Sequence, residues 1–73
     1  MKIRQKIDGP YIKLDQLLKL SGVVKTGGEV KNIILNKEIK VNDEICLSRG
    51  KKLYNLDVIK YKTTHIEVIC DDE

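Results

Sequence analysis

Two consecutive glycines lie between lysines just where a helix is predicted to begin, and this combination can bind phosphate. Gly27 and Gly28 stand between Lys25 and Lys31. A helix N-terminus presents free N–H groups and a partial positive charge, and glycines let an anion approach the backbone closely. Glu29 places a negative charge at the same point, and the glycine pair is equally compatible with a merely flexible helix start. The sequence leaves both interpretations open.

Basic residues are concentrated in the middle of the chain. Residues 13–52 hold nine basic and five acidic groups, and Arg49, Lys51 and Lys52 fall within four residues. The net charge of +3 understates this bias, because three of the 11 acidic residues form the tail at 71–73 and the first 70 residues carry a net charge of +6. Such a surface attracts polyanions, although scattered lysines are also the usual content of a solvated surface.

Residues that carry catalysis or bind metals are sparse. His65 is the single histidine, and no Ser, Cys or paired carboxylate can be assigned to it as a nucleophile or base. Cys46 and Cys70 lie outside any Cys-x-x-Cys pair, so we expect two reduced thiols and no zinc site. The sequence therefore predicts a protein that is not an enzyme and that has no cofactor or metal.

Two short helices are predicted to position the basic residues. From Tyr11 the apolar residues change to helical spacing, with leucines at positions 14, 17 and 18, and Gly22 stands where a C-cap glycine would end the first helix. Thr26 and Glu29 form a capping-box pattern at the start of the second helix. The apolar stripe of that helix is expected at Val30, Ile33 and Ile34.

Strands are predicted before and after the helices. The pattern of period two continues through Asn42-Asp43, which can form the turn of a hairpin, and Asp8-Gly9-Pro10 and Asn55-Leu56-Asp57 are further turn signals. Residues 48–52 are predicted to form a basic loop. The predicted strands are 3–7, at an edge, then 39–41, 44–47, 58–61 and 66–69.

The order of four motifs resembles the ribosomal protein S-four type RNA-binding domain, also called the alpha-L motif. The motifs are Lys-Leu-Asp-x-x-Leu at 13–18, Thr-Gly-Gly-Glu-x-Lys at 26–31, Ile-x-Val-Asn at 39–42 and Arg-Gly-Lys-Lys at 49–52. Within that family, the chain is similar to free-standing bacterial single-domain members of the YaaA/YbcJ type. The resemblance implies one domain over residues 1–73, with its core motif at 12–54 and an acidic tail at 71–73. Its α+β fold would pack two short helices on a small, mostly antiparallel sheet of about four to five strands.

The resemblance also implies a function and a set of RNA-binding residues. The expected protein is cytoplasmic, monomeric and not bound to membranes, and it binds structured RNA such as rRNA or tRNA, alone or on ribosomal particles. RNA would contact the start of the first helix, the N-terminal half of the second helix and the following hairpin. The implied residues are Lys13, Lys25, Thr26, Gly27, Gly28, Lys31, Asn32, Lys37, Lys40, Asn42, Arg49, Lys51 and Lys52.

This chain departs from the family pattern at several positions. Where the family commonly has Ser-Arg before the second helix, this chain has Thr26-Gly27, so one cationic contact is missing. Family glycines are expected at three turns where this chain has Lys37, Asp43 and Leu56. If those residues keep a positive φ, Lys37 and Leu56 should each cost about 1 kcal/mol relative to glycine.

The scarcity of aromatic residues bears on how RNA would be read. The chain has only Tyr11, Tyr54 and Tyr61, whereas proteins that read single strands stack bases on several exposed rings. Readout of phosphates and shape is therefore the favoured mode. The alternatives are a protein-interaction module or an accessory factor acting with a partner protein. DNA binding ranks third, because the second helix offers few side chains for base edges.

Overall fold

Residues 1–70 fold into two helices and seven short strands. The computed structural model describes residues 1–70, and the predicted acidic tail at 71–73 lies outside them. The elements, in chain order, are β1 (Lys2–Ile7), β2 (Tyr11–Lys13), α1 (Leu14–Leu20), α2 (Gly27–Leu35), β3 (Ile39–Val41), β4 (Glu44–Ile45), β5 (Lys52–Tyr54), β6 (Val58–Tyr61) and β7 (Thr64–Cys70).

The strands form one main sheet and one small ribbon. The main sheet has five strands in the order β1-β7-β6-β3-β4, in which β1 pairs with β7 in parallel and the other pairs are antiparallel. β2 and β5 pair with each other as a separate antiparallel ribbon. This arrangement confirms the predicted α+β class, the mostly antiparallel sheet and the position of β1 at an edge.

The core is almost entirely aliphatic. Strand residues alternate between this core and solvent, as in β3, where Ile39 and Val41 are buried and Lys40 is exposed. No polar or charged residue is fully buried within residues 1–70. The buried side chains are Ile7, Leu14, Leu17, Leu18, Val24, Val30, Ile33, Ile34, Ile39, Val41, Cys46, Leu53, Ile59, Ile66 and Val68.

The ribbon of β2 and β5 was not predicted. Tyr11–Lys13, which the sequence analysis placed in the helical pattern, forms β2. Lys52, which it placed in the basic loop, begins β5. Ile12 pairs with Leu53, which is fully buried, so a contact between residues 41 positions apart overrides the local pattern. The hairpin strand β4 is also shorter than expected, because it ends at Ile45 instead of reaching Leu47.

Both helices end in the same backbone motif. After α1, Gly22 has a φ of 82°, its N–H donates to the Lys19 carbonyl, and the Val23 N–H donates to the Leu18 carbonyl. These two bonds make a Schellman motif, which confirms the predicted glycine cap. After α2, the N–H groups of Lys37 and Glu38 make the equivalent bonds to Ile34 and Ile33.

The three positions where family glycines were expected do have positive φ angles. Lys37 has a φ of 60°, and Asp43 and Leu56 each have a φ of 72°. Lys37 occupies the left-handed position of the Schellman motif after α2. Asn42, with a φ of 50°, precedes Asp43 in the predicted two-residue hairpin turn, which is therefore of type I′. At all three positions the backbone is thus left-handed, the conformation that glycine adopts most easily, although bulkier residues occupy them.

We predict that Leu56→Gly stabilises the fold. Leu56 is 60% exposed, so its removal sacrifices little burial, while glycine relieves the left-handed strain. The free energy of unfolding in a urea titration should rise by about 1 kcal/mol, which corresponds to an increase of about 4–8 °C in the thermal midpoint. Leu47→Gly is the matched control, because Leu47 is similarly exposed and does not have a positive φ. That variant should not gain stability; equal gains in both variants would contradict the strain argument.

Candidate RNA-binding surface

The start of α1 is held by backbone carbonyls of the basic loop. Lys13 is the N-cap residue of α1 and makes no side-chain capping bond. The first N–H groups of a helix need acceptors from outside it. Leu14 N–H donates to the Lys51 carbonyl at 2.9 Å, and Asp15 N–H donates to the Arg49 carbonyl at 3.0 Å. These bonds fix the loop against the helix end.

The ribbon brings two more lysines to the same place. Lys13 on β2 pairs with Lys52 on β5, and both are exposed because the neighbouring pair, Ile12 and Leu53, turns inward. Arg49 and Lys51 lie in the loop that leads into β5. The backbone contacts therefore bring four basic residues, from chain segments far apart in sequence, close to the start of α1. We call Lys13, Arg49, Lys51 and Lys52 the basic cluster.

The outer face of α2 adjoins the basic cluster through a shallow groove. Lys31 on α2 and Arg49 in the loop line the same groove, whose volume is about 230 Å³. Leu35 and Leu47 also line it and are exposed by 65% and 63%. Lys31, the predicted RNA-binding lysine of α2, thus lies beside the loop.

The N-terminus of α2 is open to solvent. The Thr26 side chain accepts a hydrogen bond from the Glu29 N–H at 3.3 Å, which confirms the predicted cap. The return bond of the capping box, from the Glu29 carboxylate to the Thr26 N–H, is absent from the hydrogen bonds of residues 1–70. A Cβ on Gly27 would meet nothing within 4 Å, and one on Gly28 would meet only the Thr26 Oγ1 at 3.9 Å. Packing therefore does not require glycine at either position.

Several predicted residues lie outside the contacts that form the basic cluster. Lys25 directly precedes the N-cap residue of α2, and Asn32 lies in the second turn of that helix. Both are exposed, and no described contact joins them to the loop. Lys37 follows the far end of α2. Lys40 projects from the face of the main sheet opposite the buried side chains. Its neighbour on the adjacent strand β6 is Lys60. The predicted set is therefore one cluster with more distant members.

Asn42 has a structural role that is separate from its predicted RNA contact. Its Nδ2 donates to the Asp57 Oδ1 at 3.1 Å, and its Oδ1 accepts from the Val58 N–H at 3.0 Å. Asp57 also accepts from the Tyr54 N–H at 2.8 Å through its other carboxylate oxygen. Asn42 thereby ties the hairpin turn to the turn before β6, and its RNA contact stays a prediction.

Few acidic side chains neutralise the predicted cations. In the part of the chain that the structure describes, two ion pairs form, Arg4 with Glu67 at 3.3 Å and Lys60 with Asp43. The hydrogen bond and charge of Lys60 lower the pKa of Asp43 below its usual value. Neither pair includes a predicted RNA-binding residue. The basic cluster therefore keeps its charge available within residues 1–70.

Two exposed tyrosines beside the basic cluster were missed as candidate site residues. Tyr11 pairs with Tyr54 across the ribbon, and the side chains are exposed by 39% and 51%. The sequence does contain a signal for them, because Tyr-Ile-Lys at 11–13 and Lys-Leu-Tyr at 52–54 both alternate with period two. Each segment is too short to be identified as a strand without its partner.

Other kinds of site find little support in the described residues. Residues 1–70 contain no group of three or more His, Cys, Asp or Glu side chains placed to hold a metal ion. Cys46 and Cys70 are both free thiols. Neither described helix has the length and apolar content needed to cross a membrane.

The fold and the basic cluster define a small α+β domain with a basic surface, and comparison with known proteins gives the family. The family model described as S4 domain matches residues 5–69, so the chain belongs to the S4 domain family, a family of RNA-binding domains. The resemblance inferred from the motifs is thereby confirmed. The chain is also 44% identical, over 54 residues, to a Bacillus subtilis (strain 168) protein named "Probable ribosome maturation protein RlbA". That match covers 74% of this chain and 76% of the relative.

We predict that Gly28→Ala separates the two interpretations of the glycine pair. Alanine fits the available space and should raise the free energy of unfolding by about 0.5–1 kcal/mol, because glycine disfavours a helix. If a phosphate contacts this backbone, the added methyl group should weaken RNA binding by about tenfold, measured by fluorescence anisotropy.

Glu29→Gln is the companion variant. It preserves the N–H that donates to Thr26 and removes the carboxylate that repels an anion. RNA affinity should therefore increase if phosphate binds at the start of α2. Higher stability of Gly28→Ala with unchanged affinity in both variants would leave the glycines as a flexible helix start.

Proposed function

We propose that this protein is a non-catalytic RNA-binding protein that recognises structured RNA through the basic cluster and the adjoining face of α2. The observation that carries the proposal is the pair of hydrogen bonds from the α1 N–H groups to the carbonyls of Arg49 and Lys51. These bonds hold the loop cations beside Lys13 and Lys52. Membership in the S4 domain family supports the choice of RNA over DNA.

The proposed recognition is mainly electrostatic and depends on shape. Lys13, Arg49, Lys51 and Lys52 would contact phosphates, and Lys31 would extend the contact along the groove that it shares with Arg49. Because these side chains extend from a ribbon, a helix and a loop held by backbone hydrogen bonds, the backbone positions that carry them are set before RNA binds. A fixed arrangement of cations suits the fixed phosphate positions of folded RNA better than a flexible single strand.

Neighbouring residues would extend this surface at its edges. Lys25, Thr26, Gly27 and Gly28 would supply a phosphate contact at the start of α2, and the exposed Asn32 amide could reach a 2′-hydroxyl or a base edge. The remaining predicted residues, Lys37, Lys40 and Asn42, would be engaged only by an RNA large enough to follow the hairpin.

We further infer that the RNA is ribosomal or belongs to a ribosomal particle. The support is the name of the Bacillus subtilis relative, which assigns that protein to ribosome maturation. A protein with preset cations and no assigned catalytic group would act by stabilising one folded form of the RNA. In this proposal residues 1–73 act as one domain, in the cytoplasm and as a monomer.

The proposal predicts that replacing Lys31, Arg49 and Lys51 together with Ala weakens binding to a structured rRNA fragment at least about tenfold at low salt. With fewer phosphate contacts, binding releases fewer counterions. The slope of log affinity against log salt should therefore become shallower by about 2 to 3. All three side chains are exposed, so the thermal midpoint should change little. Anisotropy titrations at several salt concentrations measure both quantities.

A variant with Lys2, Lys19 and Lys62 replaced by Ala provides the matched control. It removes the same charge from exposed positions outside the proposed surface and should bind almost as well as the unaltered protein. Equal losses in the two triple variants would mean that only net charge matters, which contradicts a defined surface. Weak binding of the unaltered protein to structured RNA, single-stranded RNA and duplex DNA alike, without salt dependence, would favour the alternative of a protein-interaction or accessory module.

A further inference from the structure

The outward face of the ribbon holds two tyrosine rings next to the basic cluster. The ring centroids of Tyr11 and Tyr54 are 6.1 Å apart and the rings are tilted by 49°. The Lys52 Nζ lies 5.0 Å from the centroid of the Tyr11 ring. Because side chains alternate along each strand, Tyr11, Lys13, Lys52 and Tyr54 all project from the same face. This face combines aromatic surface with positive charge.

The exposure of these rings is informative in a chain with so few aromatics. Only three of the 73 residues are aromatic, and the core is built from aliphatic side chains instead. Two of the three rings remain at the surface, exposed by 39% and 51%. Exposed aromatic rings interleaved with cations are the arrangement on which nucleic-acid-binding proteins stack unpaired bases.

A cleft beside Tyr11 is large enough to receive a nucleotide. Its volume is about 610 Å³, within the range of small-molecule sites, and it lies between the end of β1, β2 and α1. Lys6 and Lys13 contribute positive charge to the lining, and Asp8 and Gln16 contribute hydrogen-bonding groups. The cleft therefore combines an aromatic ring, cations and polar side chains within one cavity.

We propose that Tyr11 and this cleft bind one unpaired nucleotide that protrudes from the structured RNA. This inference rests on the proposed function and adds a site for a base to the phosphate contacts. The base would stack on the Tyr11 ring, and Lys6 and Lys13 would contact the flanking phosphates. The Asp8 carboxylate accepts hydrogen bonds from base amino groups, and the Gln16 amide can donate or accept.

Tyr54 has a supporting role in this site. Its tilted contact with Tyr11 limits the orientations that the Tyr11 ring can adopt, and the 6.1 Å between the centroids leaves no room for a base between them. The Lys52 Nζ lies over one face of the Tyr11 ring, so the base would stack on the other face. Cross-strand tyrosines also stabilise a ribbon by themselves, and that purely structural role makes no prediction for RNA.

The test uses two RNA hairpins that differ in a single bulged nucleotide. In one the bulge is 2-aminopurine, whose fluorescence is quenched when it stacks, and the other is fully paired. The unaltered protein should bind the bulged hairpin more tightly and should change the fluorescence of the 2-aminopurine. Tyr11→Leu should weaken binding to the bulged hairpin by about 5- to 100-fold, as expected for the loss of one stacked base. It should leave binding to the paired hairpin and the salt slope unchanged.

Tyr11→Phe is the matched control, because it retains the ring and removes only the hydroxyl. It should preserve both the preference for the bulge and the fluorescence change, and the thermal midpoints of both variants would show whether the ribbon remains folded. Equal binding of the two hairpins by the unaltered protein, with no change in 2-aminopurine fluorescence, would overturn the nucleotide site even if salt-dependent binding confirms the basic surface. Should Tyr11→Leu not fold, this fluorescence result with the unaltered protein still decides the question.

Discussion

The arrangement of this protein depends on the need of the α1 N-terminus for hydrogen-bond acceptors. Lys13 at the N-cap position supplies none from its side chain, and the carbonyls of Arg49 and Lys51 supply them instead. The two chain segments are more than 30 residues apart, so the bonds hold the second half of the chain against the first. Without these bonds, repulsion between Lys13 and the loop cations Arg49 and Lys51 would push the two segments apart. Because the bonds involve only backbone groups, both cations of the loop stay free for a ligand. The paired strands β2 and β5 continue the same contact and bury Leu53 in the core.

The small core and the turns form the rigid support for this surface. A 73-residue chain buries little apolar area, so the way in which each turn is closed matters for stability. Asp57 accepts hydrogen bonds from Tyr54 and Asn42, and it thereby joins the ribbon, the hairpin and the turn before β6. Lys37, Asp43 and Leu56 hold left-handed conformations that glycine would adopt more easily. These non-glycine residues adopt left-handed conformations, so the surrounding hydrogen bonds determine the backbone path of these turns more than local preference does.

The aliphatic core has a consequence for the surface. Because leucine, isoleucine and valine fill the interior, Tyr11 and Tyr54 remain exposed, close to the lysines at the start of α1. Phosphate contacts alone bind any RNA of suitable shape, whereas a nucleotide cleft beside them would respond to an unpaired base at one position. The proposed surface therefore has two parts that differ in chemistry: the salt-sensitive basic cluster and the less salt-sensitive ring of Tyr11. Together they would distinguish one folded RNA from the many polyanions that the basic cluster also attracts.

The sequence by itself determined the features that depend on neighbouring residues. Helical spacing identified Leu14, Leu17 and Leu18, capping residues placed Thr26 and Gly22, and Asn42-Asp43 identified the hairpin, because each pattern lies within one turn or one helix. The order of motifs also led to the family that comparison with known proteins confirms. Only the tertiary structure decided which cations lie together, that β2 and β5 form a ribbon, and that Lys40 faces away from the helices. Those outcomes depend on hydrogen bonds and packing between residues far apart in sequence, which no local pattern encodes.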